Sequence, residues 1–298
     1  MISNLFSEEF EQQAIDRIKK FAKIAAAMEF EVAVGFSGGK DSQVVYDLCK
    51  RAGIDFKAYF NHSFESPTTI KFIKENYPDV IFRRVIKDGF IANIYTNHNC
   101  LLPTSEIAYC CQDYKHNPKF VDKASVVGVR RAESIKRKKR KVFETKNKTT
   151  AKKNKDLFSS YFYDSCQGIG TKSIIQLMPI VDWTDSDVWQ YIKNNNLPIN
   201  SEYKKHKRIG CLVCPKASFS SNFTSLIKYP KLVDAFILAR EKRKDIDWYI
   251  WADNKDYSDN KVEYICRWLN HSFRKFSKRD KYLYDNFLEH YRKLKYNL

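Results

Sequence analysis

No apolar run in this 298-residue chain is long enough to cross a bilayer. Its first residues also lack the basic start and apolar block of a signal peptide, since Glu8, Glu9 and Glu11 stand among the apolar positions there. A soluble, cytoplasmic protein with no membrane partner is expected. No internal repeat is visible. The phosphate-binding pattern GxxxxGK[ST] is missing too, because Lys40 stands where its second glycine belongs. Acidic residues are outnumbered: 35 Asp and Glu face 53 Lys and Arg, for a net charge of +18. A disulfide framework is disfavoured, because the 8 cysteines include an adjacent pair and a C-x-x-C, which suit a metal site in a reducing compartment.

What is present is concentrated in Ser37-Gly38-Gly39-Lys40-Asp41-Ser42, directly behind the apolar run Val32 to Phe36 and ahead of the helical pattern Gln43 to Ala52. A buried strand feeding a glycine-rich turn and then a helix points backbone N–H groups and the positive end of the helix at one spot. Gly38 and Gly39 remove Cβ atoms that would hold an anion off the backbone. Lys40 adds a point charge, and Ser37 and Ser42 add hydroxyl donors. The loop is expected to bind a phosphate or sulfate.

The excess charge is uneven. Lys136–Lys155 holds eleven Lys and Arg against the single acid Glu144, so +10 of the +18 lies there and +8 elsewhere. Such a tract suits a polyanion such as DNA or RNA, and equally a solvated loop.

Apolar residues spaced by three and four over 5–28 predict an amphipathic helix, and strand patterns recur near 56–60, 80–86, 124–129 and 173–177. Helical patterns fall at 42–52, 67–77, 105–115 and about 185–195, the last opened by Asp182-Trp183-Thr184-Asp185. This alternation predicts an α/β fold: a mostly parallel sheet with helices on both faces and a ligand at the carboxyl ends of the strands. Beyond Pro215 aromatic-rich helical patterns over 223–243 and 261–296 predict a helical C-terminal region. Residues 1–215 are expected to form the anion-binding α/β domain, with a basic insertion at about 136–157, and 216–298 the appendage.

Four cysteines fall into two pairs, Cys110-Cys111 and Cys211 with Cys214. Spacing alone fits either tetrahedral zinc or a four-iron cluster.

These features together resemble the phosphoadenosine/adenosine phosphosulfate reductase family of the adenine-nucleotide α-hydrolase superfamily, whose pyrophosphate loop reads SGGKDS. The family's GxRxxES..R element is matched from Gly128-Val129-Arg130-Arg131-Ala132-Glu133-Ser134 to Arg137. A further stretch runs through Pro179-Ile180-Val181-Asp182-Trp183-Thr184, Asp187-Val188-Trp189, Leu197-Pro198-Ile199-Asn200, Tyr203 and Arg208-Ile209-Gly210-Cys211. The resemblance implies an adenine nucleotide held by Ser37, Gly38, Gly39, Lys40, Asp41, Ser42, Gly128, Arg130 and Arg137, with Lys40, Asp41 and Arg130 catalytic. It also implies a [4Fe–4S] cluster on Cys110, Cys111, Cys211 and Cys214.

Two departures stand out. The family's nucleophilic cysteine in a Glu-Cys-Gly-Leu-His setting is absent, and Cys266 is the one cysteine after Cys214. Asn61-His62-Ser63-Phe64-Glu65-Ser66-Pro67 also replaces the family's aspartate-led segment. The favoured reading is therefore an ATP pyrophosphatase that adenylylates an acceptor for sulfur transfer. Mg²⁺ would accompany the ATP, nucleic acid is an acceptor candidate, and a partner protein would supply sulfur or electrons. Iron–sulfur relatives that phosphorothioate DNA are of this kind, and Cys100 or Cys166 is a persulfide candidate. The alternative is a phosphosulfate reductase releasing sulfite from APS or PAPS with Cys266 as nucleophile. A binding module without turnover is the third reading.

Overall fold

The computed structural model describes residues 2–84, 89–116, 122–145, 156, 165–167, 175–250, 255–269 and 277–296. Residues 146–155 of the basic tract lie outside them, as does the side chain of Cys166. By contact density the chain forms two compact units. The first comprises Met1–His62, Pro67–Arg83 and His116–Ile209, and the second Ser63–Ser66, Arg84–Lys115 and Gly210–Leu298. None of the described helices is long and apolar enough to cross a membrane.

The first unit is built on a seven-stranded sheet. Its strands are β1 (Val32–Gly35), β2 (Lys57–Asn61), β3 (Ile81–Arg83), β4 (Ala124–Val126), β5 (Phe143–Thr145), β6 (Ser165–Gln167) and β7 (Ile175–Leu177), in the order β3-β2-β1-β4-β7-β5-β6. All pairs are parallel except β5 with β7, where Phe143 faces Leu177. The mostly parallel α/β class expected from the sequence is what forms.

From β1 the chain builds outward through β2 to β3, then returns to place β4 on the other side of β1. Successive right-handed crossovers in opposite directions leave a crevice at that reversal, beyond the carboxyl end of β1. The loop Ser37–Ser42 occupies it. Val34, Val126, Leu177 and Phe143 are fully buried in the sheet.

Helices α1 (Ile2–Ala27) and α2 (Lys40–Arg51) pack together through Ile18, Phe21, Leu48 and their neighbours in one apolar cluster. Helix α3 (Pro67–Asn76) contributes Phe72 and Ile73 to the same core. In the second unit α4 spans Gly89–Asn97. Then α5 (Asp185–Asn194), in the first unit, starts at the cap expected: Thr184 accepts from Asp187 N–H at 3.2 Å, and Asp187 accepts from Thr184 N–H at 2.7 Å.

Several elements differ from expectation. The helix anticipated over 105–115 is an irregular stretch ending in a π-helical turn, Cys111–Lys115, while an unanticipated helix, α4, precedes it. Pro103 and the Thr104–Ile107 turn, in which Ile107 N–H donates to Thr104 Oγ1 at 2.9 Å, take up the chain where a helix would run. Strands β5 and β6 flank residues 146–155 and were unforeseen; Glu144 and Cys166 are backbone partners in them. The helix expected over 223–243 is divided into α6 (Phe219–Lys228) and α7 (Lys231–Glu241) at Pro230, which holds Tyr229 out of the helical region. The pattern over 261–296 likewise gives α8 (Lys261–Trp268) and α9 (Lys278–Tyr296).

The second unit has its own aromatic core, in which Phe223, Phe236, Ile265 and Phe287 are fully buried. Phe64 stacks on Phe90 with centroids 4.5 Å apart. Burying rings of this size contributes about 1.5–3 kcal/mol each, enough for this unit to hold its helices without a large sheet.

Candidate nucleotide pocket and cysteine centre

In the first unit a cavity of about 490 Å³ opens at the carboxyl ends of β1 and β4. Its walls include Ser37, Gly39, Lys40, Asp41, Ser42, Gly128, Arg130 and Arg137, so most of the residues predicted to hold a nucleotide converge there. Gly38 is turned the other way. Its φ is +73°, and a Cβ there would lie 2.9 Å from Ile73 Cδ1, so its lack of a side chain serves packing behind the loop. Gly128 is required by proximity: a Cβ on it would meet the Asp41 carbonyl oxygen at 2.7 Å. The two halves of the predicted site thus touch backbone to backbone.

The loop serines brace the turn. Ser42 Oγ donates to Gly39 C=O at 2.8 Å and accepts from Ser37 N–H at 3.1 Å, while the two hydroxyls lie 3.1 Å apart. With those bonds made, the hydroxyls hold the loop in shape around its N–H groups.

The Lys40 and Arg130 side chains, 6% and 3% exposed, are held by the same two carboxylates. Lys40 Nζ lies 3.1 Å from Asp41 and 2.8 Å from Asp185. Arg130 bonds Asp41 through Nε at 2.6 Å and Asp185 at 3.0 Å, and also donates to the Trp183 carbonyl. Buried cations need such partners, because desolvation without them is prohibitive. The hydrogen bond from Lys40 leads in holding the Asp185 carboxyl below its ordinary range, against burial, with Arg130 assisting. Asp185 is a site residue that sequence reasoning read only as part of a helix start; nothing local marks it, because its partners lie 145 and 55 positions away.

At the mouth of the cavity Glu133 pairs with Arg137 and, at 3.2 Å, with Arg208. Burial first, then the neighbouring Arg208 and Arg140, push the Arg137 guanidinium below its usual range. The lining therefore carries five cations, Lys40, Arg130, Arg137, Lys207 and Arg208, against three carboxylates, Asp41, Glu133 and Asp185. An excess of two positive charges suits a doubly charged anion. A short turn, Ser201–Lys204, brings Tyr203 to the same wall, where its hydroxyl accepts from Lys40 N–H at 2.8 Å. Lys207 and Arg208 belong to a second exposed basic run, Lys204 to Arg208, which the sequence reading had not singled out as basic.

In the second unit the four predicted ligand cysteines come together. The thiols of Cys110 and Cys111 are hydrogen bonded, as are those of Cys211 and Cys214, and Cys110 senses all three others. Bonding within each pair brings Cys111 down to about 6 and Cys211 down to about 6, while Cys110 and Cys214 move up. An isolated bridge between Glu65 and Cys211, with Leu212 N–H donating to Phe64 C=O at 2.6 Å, pins the C-x-x-C loop.

Lys115, Glu65 and Ser63 were not foreseen here. Lys115 Nζ lies 3.4 Å from the Glu65 carboxylate, and Ser63 Oγ is 3.6 Å from Cys211 Sγ. Against burial, the Cys211 thiolate and Glu65 hold the Lys115 ammonium above its ordinary range. The donor set is all sulfur, which fits a thiophilic metal centre. Among the described residues no three His, Cys, Asp or Glu side chains converge as tightly as one ion requires. Tetrahedral zinc needs thiolates about 3.8 Å apart, whereas a four-iron cube with a cysteine at each corner spreads its ligands wider.

Among the described side chains the other cysteines, Cys49, Cys100 and Cys266, are buried. Cys266 is 0% exposed within α8, and burial holds its thiol well above the ordinary value, so it is unsuited to nucleophilic attack. Cys49 is a core residue of α2, as expected, and Cys100 is 3% exposed.

Residues 31–217 match the phosphoadenosine phosphosulfate reductase domain. An uncharacterised protein of Methanocaldococcus jannaschii is 27% identical over 239 residues, covering 77% of this chain; the chain spans about half (52%) of that relative's length. An adenosine 5′-phosphosulfate reductase of Oceanobacillus iheyensis is 28% identical over 62% of the chain and 71% of its own length. A solved phosphoadenylyl-sulfate reductase from Candida auris, in complex with phosphate, aligns over 65% of the chain and 87% of its own, with a TM-score of 0.43 and 15% identity.

Proposed function

Because this chain belongs to the phosphoadenosine phosphosulfate reductase domain family, we propose that its pocket binds adenosine 5′-phosphosulfate and that the enzyme releases sulfite and AMP. The observation that carries this is the convergence of the Ser37–Ser42 loop, Arg130 and Arg137 around one cavity with two cations in excess. The phosphosulfate anhydride carries two negative charges, which matches. In the reaction a thiolate attacks the sulfate sulfur, the S–O bond to phosphate breaks, and AMP leaves with the bonding pair. A second thiol then displaces sulfite, so two thiols are oxidised to a disulfide as the sulfur is reduced.

Lys40 and Arg130 would neutralise the phosphate charge that grows on AMP, with Asp41 holding both cations. Cys266 is a poor candidate for the attacking thiol. A dithiol protein, the electron-donor partner, fits that role. Cys110, Cys111, Cys211 and Cys214 would hold a [4Fe–4S] cluster, whose chemistry is electron storage or a covalent tie between the two loops.

A second reading is ATP-dependent adenylylation followed by sulfur transfer, with Mg²⁺ entering on the triphosphate. The burial of Cys266 favours it, and so do the exposed basic residues of 136–139 and 204–208, which suit a nucleic-acid acceptor.

Anaerobically purified protein offered APS, PAPS and ATP in parallel, with a dithiol donor, distinguishes these. Sulfite with AMP supports the first reading and pyrophosphate from ATP the second. Saturable binding without product would leave a nucleotide-binding module.

A further inference from the structure

The Lys40 N–H opens α2, where an anion is expected to sit, yet in this structure it points at a side-chain oxygen, the Tyr203 hydroxyl, at 2.8 Å. That hydroxyl is 3.3 Å from where a Cβ on Gly39 would stand, so the tyrosine lies directly over the loop. Its position is fixed from two sides. Asn200, fully buried, opens the turn by accepting from Glu202 N–H at 3.0 Å and donates to Gly38 C=O at 3.4 Å. Trp189 meets the ring edge-on, with centroids 5.0 Å apart and an interplanar angle of 81°.

A hydroxyl has one proton to give and two lone pairs to receive. One lone pair of Tyr203 is used by Lys40 N–H. Among the described residues no acceptor takes its proton, and the residue lines the cavity. Burial pushes the phenol up to about 12, so the proton is present at neutral pH.

We propose that Tyr203 is a ligand-binding residue of the nucleotide site: its hydroxyl is oriented by the Lys40 N–H and donates its own proton to an oxyanion of the bound phosphate or sulfate anhydride. The loop's ring of donors is thereby extended by a side chain 163 residues away. A hydrogen bond chain of this form polarises the donor, since the N–H behind it makes the O–H more acidic. The inference rests on the pocket being the nucleotide site.

The test is calorimetric titration of wild type, Tyr203→Phe and Tyr203→His with APS, ATP and inorganic pyrophosphate, with thermal melting alongside. A donor to a charged acceptor predicts at least about tenfold weaker binding by Tyr203→Phe at an unchanged melting temperature. Partial recovery is expected in Tyr203→His, which keeps a ring donor. The three ligands separate sulfate from phosphate as the group contacted, according to which of them loses affinity. Binding by Tyr203→Phe within twofold of wild type would overturn the proposal. Tighter binding would overturn it as well, because the hydroxyl would then be a competitor displaced by the anion. If Tyr203→Phe does not fold, Tyr203→His decides: affinity as weak as that of a Lys40→Ala control counts against a donor role. Wild type binding none of the three ligands would instead defeat the nucleotide reading itself, and this inference with it.

Discussion

Lys40 Nζ and Asp185 Oδ1 lie 2.8 Å apart, and the same carboxylate oxygen receives Arg130 at 3.0 Å. One acidic residue at the start of α5 therefore holds two cations from two other parts of the chain in place before any anion arrives. The site is pre-organised, so ligand binding need not order these side chains.

The Asp185 pairing has a pH signature. Its folded carboxyl titrates below its unfolded value, so the stability it contributes is present above about pH 4 and is lost as pH falls through the lower folded value. Urea midpoints measured from pH 6 to pH 2.5 should show a steeper acid-side decline in wild type than in Asp185→Asn. Equal slopes would mean that the pairing is not populated in solution. At neutral pH the same variant should bind a nucleotide anion several-fold more weakly, because Lys40 and Arg130 lose the shared carboxylate that holds them in place.

Gly128→Ala should be far more damaging than an ordinary loop substitution. The added Cβ would meet the Asp41 peptide at 2.7 Å, and backbone cannot step aside as a flexible side chain can. A stability loss of about 1–3 kcal/mol and at least tenfold weaker nucleotide binding are expected. Denaturation and titration of the same preparation would reveal it, and near-wild-type values in both would show that the two loops separate freely.

Cys266→Ala should leave product formation intact, whichever product is found. The thiol is fully buried, and the substitution removes only a small apolar group from the core, at a cost of about 1 kcal/mol. Complete loss of sulfite production with an unchanged melting curve would restore Cys266 as the attacking thiol.

Cys211→Ser should abolish the bound metal if the four cysteines act together. Iron, zinc and acid-labile sulfide measured on anaerobic protein give the answer directly. About four iron per chain in wild type and little in the variant is the expected result; one zinc per chain with no sulfide would favour the tetrahedral alternative.

The core of the candidate pocket was legible because its signals are local. The run Val32 to Phe36, the loop and the helical pattern behind it became β1, turn and α2 almost as read. The vicinal cysteines and the C-x-x-C were equally visible, and both pairs fall in the second unit. Phe143 was obscured by its surroundings: it is fully buried in β5, yet it sits in the most basic stretch of the chain, where periodicity says nothing of a strand. Asp185 and Lys115 were hidden for another reason, and so was the role of Tyr203, although the residue itself stood in the family stretch. Each takes its role from partners supplied by tertiary folding, and its own neighbourhood reads as an unremarkable helix start, short turn or helix end.

The second unit is assembled from three separated stretches, Ser63–Ser66, Arg84–Lys115 and Gly210–Leu298. Phe90, Ile94 and Tyr114 leave the ribosome more than a hundred residues ahead of Phe223, Phe236 and Ile265, which share their apolar cluster. Trp268 likewise reaches back to the Pro103 carbonyl at 2.6 Å. During synthesis the early stretch must wait with its apolar surface uncovered, so the yield of native protein should depend on chaperone capacity and translation speed. Release of a chain cut short at Ile209 would leave that surface bare for good, making truncated products a source of aggregates.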